Sequence, residues 1–156
     1  MFFTAAGSTF DIGDLRANWA ARQVSAADFS SEVWVPVEGV SSLGRISGEW
    51  QTEETASPDA DDPDNPQMPT VLKSARPAKT MQVVAAMVAG DVGQMAMLAA
   101  EGIVHPVTFR LTAADGSVLR FVALVLGADH VFDEAANVMS WSFSLKLQSN
   151  ILREAS

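Results

Sequence analysis

The chain has 156 residues, 48% of them hydrophobic, and no cysteine. That length supports one domain with a real core, and the missing thiols exclude disulfides, zinc–thiolate centres and thiol catalysis. A formal charge of −9 repels phosphates at long range, which argues against tight duplex DNA binding.

The first ten residues (MFFTAAGSTF) lack a basic flank and a long apolar core, so they do not read as a secretory signal. No apolar run approaches the roughly 20 residues of a membrane helix. The expectation is a soluble protein synthesised in the cytoplasm. Residues 7–13 (GSTFDIG) form a short predicted strand. Residues 16–30 settle on no period, because Trp19 and Val24 fit neither helix nor strand spacing. Residues 33–37 (VWVPV) are extended. Pro36 cannot donate a hydrogen bond, so this strand belongs at an edge or a bulge. Residues 40–50 continue as extended chain, punctuated by Gly44 and Gly48.

Residues 53–70 break the pattern. They hold Pro58, Pro63, Pro66 and Pro69, six carboxylates (Glu53, Glu54, Asp59, Asp61, Asp62 and Asp64), and almost nothing apolar. Such a stretch cannot bury enough surface to offset its ordering entropy. It is read as a long acidic, proline-rich loop inside a single domain spanning 1–156. Without those six carboxylates, thirteen acids face ten bases, a net −3 in place of −9.

Strand character returns over 79–88 (KTMQVVAAMV), followed by the one clear helix over 90–102 (GDVGQMAMLAAEG). Asp91 caps it, Gln94 stands at capping-box spacing, and Gly102 is a natural stop. Val92, Met95, Leu98 and Ala99 are expected on its inward face. Residues 107–112 (VTFRLT) alternate, Asp115-Gly116 marks a hairpin turn, and 118–126 (VLRFVALVL) returns mostly buried. Residues 129–137 are expected to be a loop. Residues 139–147 (MSWSFSLKL) alternate without a break. Met139, Trp141, Phe143, Leu145 and Leu147 fall on one face; Ser140, Ser142, Ser144 and Lys146 fall on the other. Runs of strands with one helix predict a mainly β fold: an antiparallel β-sandwich or barrel with one short flanking α-helix.

Chemistry-bearing motifs are scarce. His105 and His130 stand alone in loop-like sequence. His130 with Asp129, Asp133 and Glu134 shows no ligand pattern for a metal. Asp59–Asp64 has the acid density of a calcium loop but neither its turn glycine nor its terminal Glu. No glycine-rich phosphate motif occurs. The four tryptophans (Trp19, Trp34, Trp50, Trp141) have no interleaved bases, so core or interface packing is the better reading than a base-stacking platform. Met81, Met87, Met95, Met97 and Met139 read as core or interface fillers. No catalytic residue, metal or cofactor is assigned. Lys73, Arg76 and Lys79 follow the acidic stretch closely. In a homo-oligomer, the acids of one copy could meet this basic cluster on the next.

In order and spacing, several segments together resemble the tail tube (major tail) proteins of long-tailed bacteriophages. These are Trp34-Val35-Pro36-Val37-Glu38-Gly39-Val40-Ser41-Ser42-Leu43-Gly44, the helical Gly90-Asp91-Val92-Gly93-Gln94-Met95-Ala96-Met97-Leu98-Ala99-Ala100, Val107-Thr108-Phe109-Arg110-Leu111, the turn Ala114-Asp115-Gly116, Phe121-Val122-Ala123-Leu124-Val125 and Ala136-Asn137-Val138-Met139-Ser140-Trp141-Ser142-Phe143-Ser144-Leu145. The likeness covers roughly residues 29–152; the Trp19 stretch lies outside it. The resemblance implies a structural subunit, not an enzyme, found in the virion tail. It would form hexameric rings that stack into a tube. DNA would pass through the lumen without specific binding, and the long loop would order against a neighbouring ring. Partners would be sister copies, a tape measure protein and a terminator, with no membrane. Ser140, Ser142, Ser144 and Lys146 are the candidate lumen face. Two alternatives are a small ligand-binding β-barrel and the related injection-tube protein of a bacterial secretion system.

Overall fold

A computed structural model describes residues 6–55, 70–132 and 138–154. In chain order the elements are β1 (Thr9–Leu15), a 3-10 turn (Ala26–Phe29), β2 (Val35–Pro36), β3 (Val40–Ser42), β4 (Gln51–Thr55), β5 (Thr70–Ala75), β6 (Thr80–Ala86), α1 (Val92–Glu101), β7 (Val107–Thr112), β8 (Val118–Val131), β9 (Ser140–Leu147) and β10 (Leu152–Glu154). Every pairing between these strands is antiparallel. The fold is mainly β with one helix, as the sequence implies. Its main body is one sheet of eight strands in the order β2-β1-β7-β8-β9-β6-β3, with β10 beside β8; β4 and β5 form a separate hairpin.

The sheet is curled into a half-barrel, and its two edge strands, β2 and β3, are neighbours in sequence. One short segment therefore serves both edges: Val37 N–H donates to Phe10 on the β1 side, and Ala86 N–H at the end of β6 donates to Gly39. Gly39 has φ +74°, and a Cβ there would sit 2.6 Å from the Ala86 oxygen. Only glycine combines that backbone with that approach.

The concave face is apolar and filled. Phe10, Phe109 and Phe121 stack across β1, β7 and β8 with centroids 5.3 and 5.8 Å apart. Val83, Phe143, Leu145 and Leu147 continue the core along β6 and β9, and Met97 and Ala100 enter it from α1. The expected alternation in the last long strand holds for Phe143, Leu145 and Leu147. Met139 lies before β9 and is exposed.

The helix caps as the sequence predicts: Asp91 accepts from Gln94 N–H at 2.9 Å. Its inward face differs from the expected Val92, Met95, Leu98 and Ala99. Gly93, Gln94, Met97 and Ala100 are buried, while Val92 and Met95 are exposed. The cause is close backbone contact. A side chain at Gly93 would overlap the Pro36 carbonyl, so that glycine sets the docking face. Beside it, the Gln94 amide donates to the carbonyls of Ala86 (2.7 Å) and Glu38 (2.8 Å) and accepts from Val88 N–H (3.1 Å).

Two further differences concern strand extents. Residues 53–55 and 70 are not loop: Glu53 pairs with Leu72, Glu54 with Val71, and Thr55 with Thr70. Asp59, Asp61, Asp62 and Asp64 lie outside the described residues. Residues 129–131, expected in a loop, continue β8 beyond a bulge between Val125 and Gly127. The bulge reverses face parity. Phe121, Ala123 and Val125 point to the core before it, and Ala128 packs against the core after it.

Replacing Gln94 by Ala removes three hydrogen bonds and leaves two carbonyls and an amide short of partners. The expected cost is about 3 kcal/mol, read as a lower urea midpoint. A midpoint within the wild-type error would mean the amide does not hold the helix.

Candidate functional site

The convex face of the sheet divides into a covered half and an open half. Residues 14–34 form a strap over β1, β7 and β8. Val24 and Phe29 bury themselves against Val122, with Trp19, Trp34 and Leu152 at the margin. Polar contacts fix it. Trp19 Nε1 donates to Gln148 O at 3.1 Å, Val24 N–H to Asn150 Oδ1 at 2.6 Å, and Asp14 N–H to Glu32 at 2.8 Å. Arg16 pairs with Glu32. Arg110 pairs with the buried Asp11 at 2.8 Å and lies 5.1 Å from the centre of the Trp34 ring. Trp19 and Trp34 are thus packing residues, as expected from their sequence context. The strap has irregular backbone apart from its 3-10 turn, which is why no period marked it.

The 3-10 turn is stapled by Asp28. Its carboxylate accepts from Arg22 at 2.8 Å and from Ser25 N–H at 2.8 Å. The Arg22 hydrogen bond first, and then that backbone amide, hold the Asp28 pKa down at about 2.

The open half is built from β6, β9 and the distal part of β8. Across it Thr80 faces Lys146, Gln82 faces Ser144, Val84 faces Ser142 and Ala86 faces Ser140. On the other side Asp129 is opposite Ser142 and Gly127 opposite Ser144. The four sequence-predicted residues therefore do share one face. Ser140 and Ser144 are half-buried and Lys146 is exposed. Ser142 is buried, and its hydroxyl accepts from Gln82 Nε2 at 2.6 Å. The surface is hydroxyl- and amide-rich, with one cation and one anion among the residues named. Nothing in it converges as a small-molecule pocket would.

The hairpin β4–β5 stands apart from the sheet. Every residue of β5 is exposed, Val71 and Leu72 included. At its base the Trp50 ring is exposed, with Lys73 Nζ 5.3 Å and the Arg76 guanidinium 5.8 Å from its centre. Cation–aromatic contact of this kind was hidden in the sequence, because only the hairpin register brings residue 50 to residues 73 and 76. Lys79 lies beyond the hairpin, at the start of β6, where its carbonyl accepts from Leu147 N–H. None of the three cations is in an ion pair among the described residues.

His130 is not in a loop. It sits on β8 opposite Trp141, with ring centres 3.8 Å apart. No group of three or more acidic or histidine side chains poised for a metal occurs among the described residues; Asp133 and Glu134 lie outside them.

No protein-family model matches this chain, and no curated protein matches it significantly. Solved structures do. A chain in the sheath/tube terminator structure of the PVC extracellular contractile injection system, in its extended state, superposes with a TM-score of 0.61 at 10% identity, covering 99% of this chain and 98% of that one. A chain of the tail of an empty GTA particle, solved with C6 symmetry, gives 0.56 at 13% identity, covering 85% and 93%. The SPP1 tail tube gives 0.52 at 14% identity, covering 96% and 77%. At these identities the likeness is one of fold, and the fold is that of tail tube and injection-tube proteins.

The Asp28 staple makes the strap acid-sensitive. A depressed folded-state pKa contributes stability above the unfolded value of about 3.9 and loses it as pH falls towards 2. Amide exchange at Val24 and Ser25 should therefore accelerate between about pH 4 and pH 2. Asp28→Asn should remove that pH step while exchanging faster at neutral pH. An identical pH profile in the variant would show that the strap is held elsewhere.

Proposed function

We propose that this chain is a structural subunit of a tube, either a phage tail tube or the tube of a related injection system. It acts by self-assembly and carries out no catalysis. Copies form six-membered rings that stack, and the lumen conducts DNA without gripping it. Sister copies, a terminator and a tape measure protein are the partners, and the assembled virion tail is the location.

One observation carries this reading. The hairpin β4–β5 is a two-stranded unit with both faces in water, and it displays Val71 and Leu72. Such a hairpin is marginal alone and gains stability only by packing on something else. In a homopolymer the something else is the next copy, which supplies the same surface at every interface. The fold likeness and the C6 symmetry of the GTA tail support the arrangement.

The open face built on Ser140, Ser144 and Lys146, with Gln82 and Thr80 beside it, is the lumen in this arrangement. Small hydroxyls and amides keep water bound to the wall. A single lysine per copy is a weak anchor for phosphate, since affinity for nucleic acid scales with the number of neutralised phosphates. The ligand-binding barrel is the lesser reading, because the concave face is occupied by phenylalanines and leaves no cavity for a guest.

Negative-stain microscopy of concentrated protein should show rings or tubes with six-fold class averages. A monodisperse monomer that captures a small molecule would overturn the proposal. With tubes in hand, Ser144→Cys should react with a small maleimide but resist a large polymer-linked one, whereas Met95→Cys on the outward face of α1 should react with both. Equal access at the two positions would remove Ser144 from the lumen.

A further inference from the structure

We infer that the cleft at the base of the hairpin is an anion-accepting socket for the acidic segment of a second copy of this chain. The cleft, about 460 Å³, lies between the strap, the 76–79 connection and the turn after β9. Arg22, Arg76 and Lys79 line it together with Gln23, Gln148 and Asn150. Sequence proximity alone joined Lys73 to Arg76 and Lys79. The structure regroups the cations: Lys73 and Arg76 flank Trp50, and Arg76 and Lys79 share the cleft with Arg22, fifty-four residues before Arg76 in the chain.

Charge complementarity identifies the occupant. Arg22 is paired with Asp28, while Arg76 and Lys79 have no carboxylate partner among the described residues. Residues 70–79 carry three cations and no acid, in a chain of net charge −9. The matching excess is the run Asp59, Asp61, Asp62 and Asp64, which has no base within it. Polar side chains in the cleft offer amide donors as well, so a carboxylate there gains hydrogen bonds in addition to Coulomb attraction.

Geometry favours a neighbour's segment over the chain's own. Residues 56–69 leave and rejoin the hairpin at the Thr55–Thr70 pair, whereas the cleft lies past its other end, beyond the Gln51–Ala75 pair. Four strand steps separate the two ends, roughly 14 Å. The same-chain acids would have to double back nearly fully extended over that distance before meeting Arg76. A neighbour's hairpin tip arriving at the cleft has no such constraint. This inference deepens the tube reading by naming one of its contacts, and it rests on that reading for the supply of neighbours.

Two experiments test it with the full-length protein. First, a synthetic peptide of residues 56–69 is titrated against dilute protein, with tryptophan emission as the readout, since Trp19 and Trp50 stand beside Arg22 and Arg76. Saturable binding is expected, weakening about tenfold from 50 to 500 mM salt as screening shortens. It should be lost in R76E/K79E, reduced in the milder R76Q/K79Q, and retained in R45E, whose cation lies elsewhere. No binding to the wild type, or equal binding to all variants, overturns the socket. Second, a chain carrying R76E/K79E is mixed with one carrying Asp59→Lys, Asp61→Lys and Asp62→Lys. Each alone should associate poorly, and the mixture should form heterotypic particles. Absence of rescue overturns the two-copy contact. The peptide arm needs no tube, so binding without rings would sink the tube proposal and spare the socket, and rings without binding would do the reverse.

Discussion

The side-chain amide of Gln94 is the contact on which the rest of this structure depends. It reaches the Glu38 carbonyl on one side and the Ala86 carbonyl and Val88 amide on the other. Those groups belong to the two margins of the curled sheet, where the segment running from β2 to β3 serves both edges. A buried backbone group without a partner is costly, so the amide both satisfies the seam and seats the helix over it. The glycines on either side make room: Gly93 lets α1 approach Pro36, and Gly39 lets the turn approach Ala86. With the seam joined, Met97 and Ala100 can complete the aromatic core.

Closing that seam decides what is left for function. The concave face is consumed by packing, so surface chemistry must come from the convex face and from what projects beyond the sheet. The strap removes half of the convex face by covering Val122, and it binds its own charges internally through Arg16–Glu32 and Arg22–Asp28. What remains open is a polar stretch of β6 and β9, a free-standing hairpin and unpaired cations at the hairpin's base. None of these is a catalytic arrangement, and all are surfaces that need another molecule to complete them.

How far the sequence alone carried this picture follows from where periodicity was intact. The strand over 140–147 was legible because one face is wet and the other dry along its whole length. The helix and its Asp91 cap were legible for the same local reason. The helix's inward face was not, because backbone approach at Gly93 and the hydrogen bonds of Gln94 outweighed hydrophobicity at Val92 and Met95. The far end of β8 was missed because the bulge after Val125 shifts its alternation by one residue, and the pattern reads as noise. The strap was missed because it buries Val24 and Phe29 through irregular backbone, which has no period. The two arms of the β4–β5 hairpin are solvated on both faces, so nothing in their polarity separates them from the loop between them. The four serine-face positions were placed together correctly. That Ser142 is buried under Gln82 depends on a residue sixty positions away.

The distribution of charge is the last constraint, and it separates two demands that conflict in any self-assembling conduit. Assembly needs attraction between copies, whereas passage of a polyanion needs an absence of strong attraction at the wall. A uniformly basic protein would meet the first demand with nucleic acid instead of with itself. Here the two signs are separated along the chain: acids concentrate in 53–64, bases in 73–79, and the β6–β9 face keeps one lysine among hydroxyls and amides. Opposite charges on different parts of one chain can be satisfied between copies at short range. The net −9 still repels copies at distances within a Debye length of about 8 Å at physiological salt. Association then depends on correct docking and not on charge alone, which favours ordered stacking over indiscriminate aggregation.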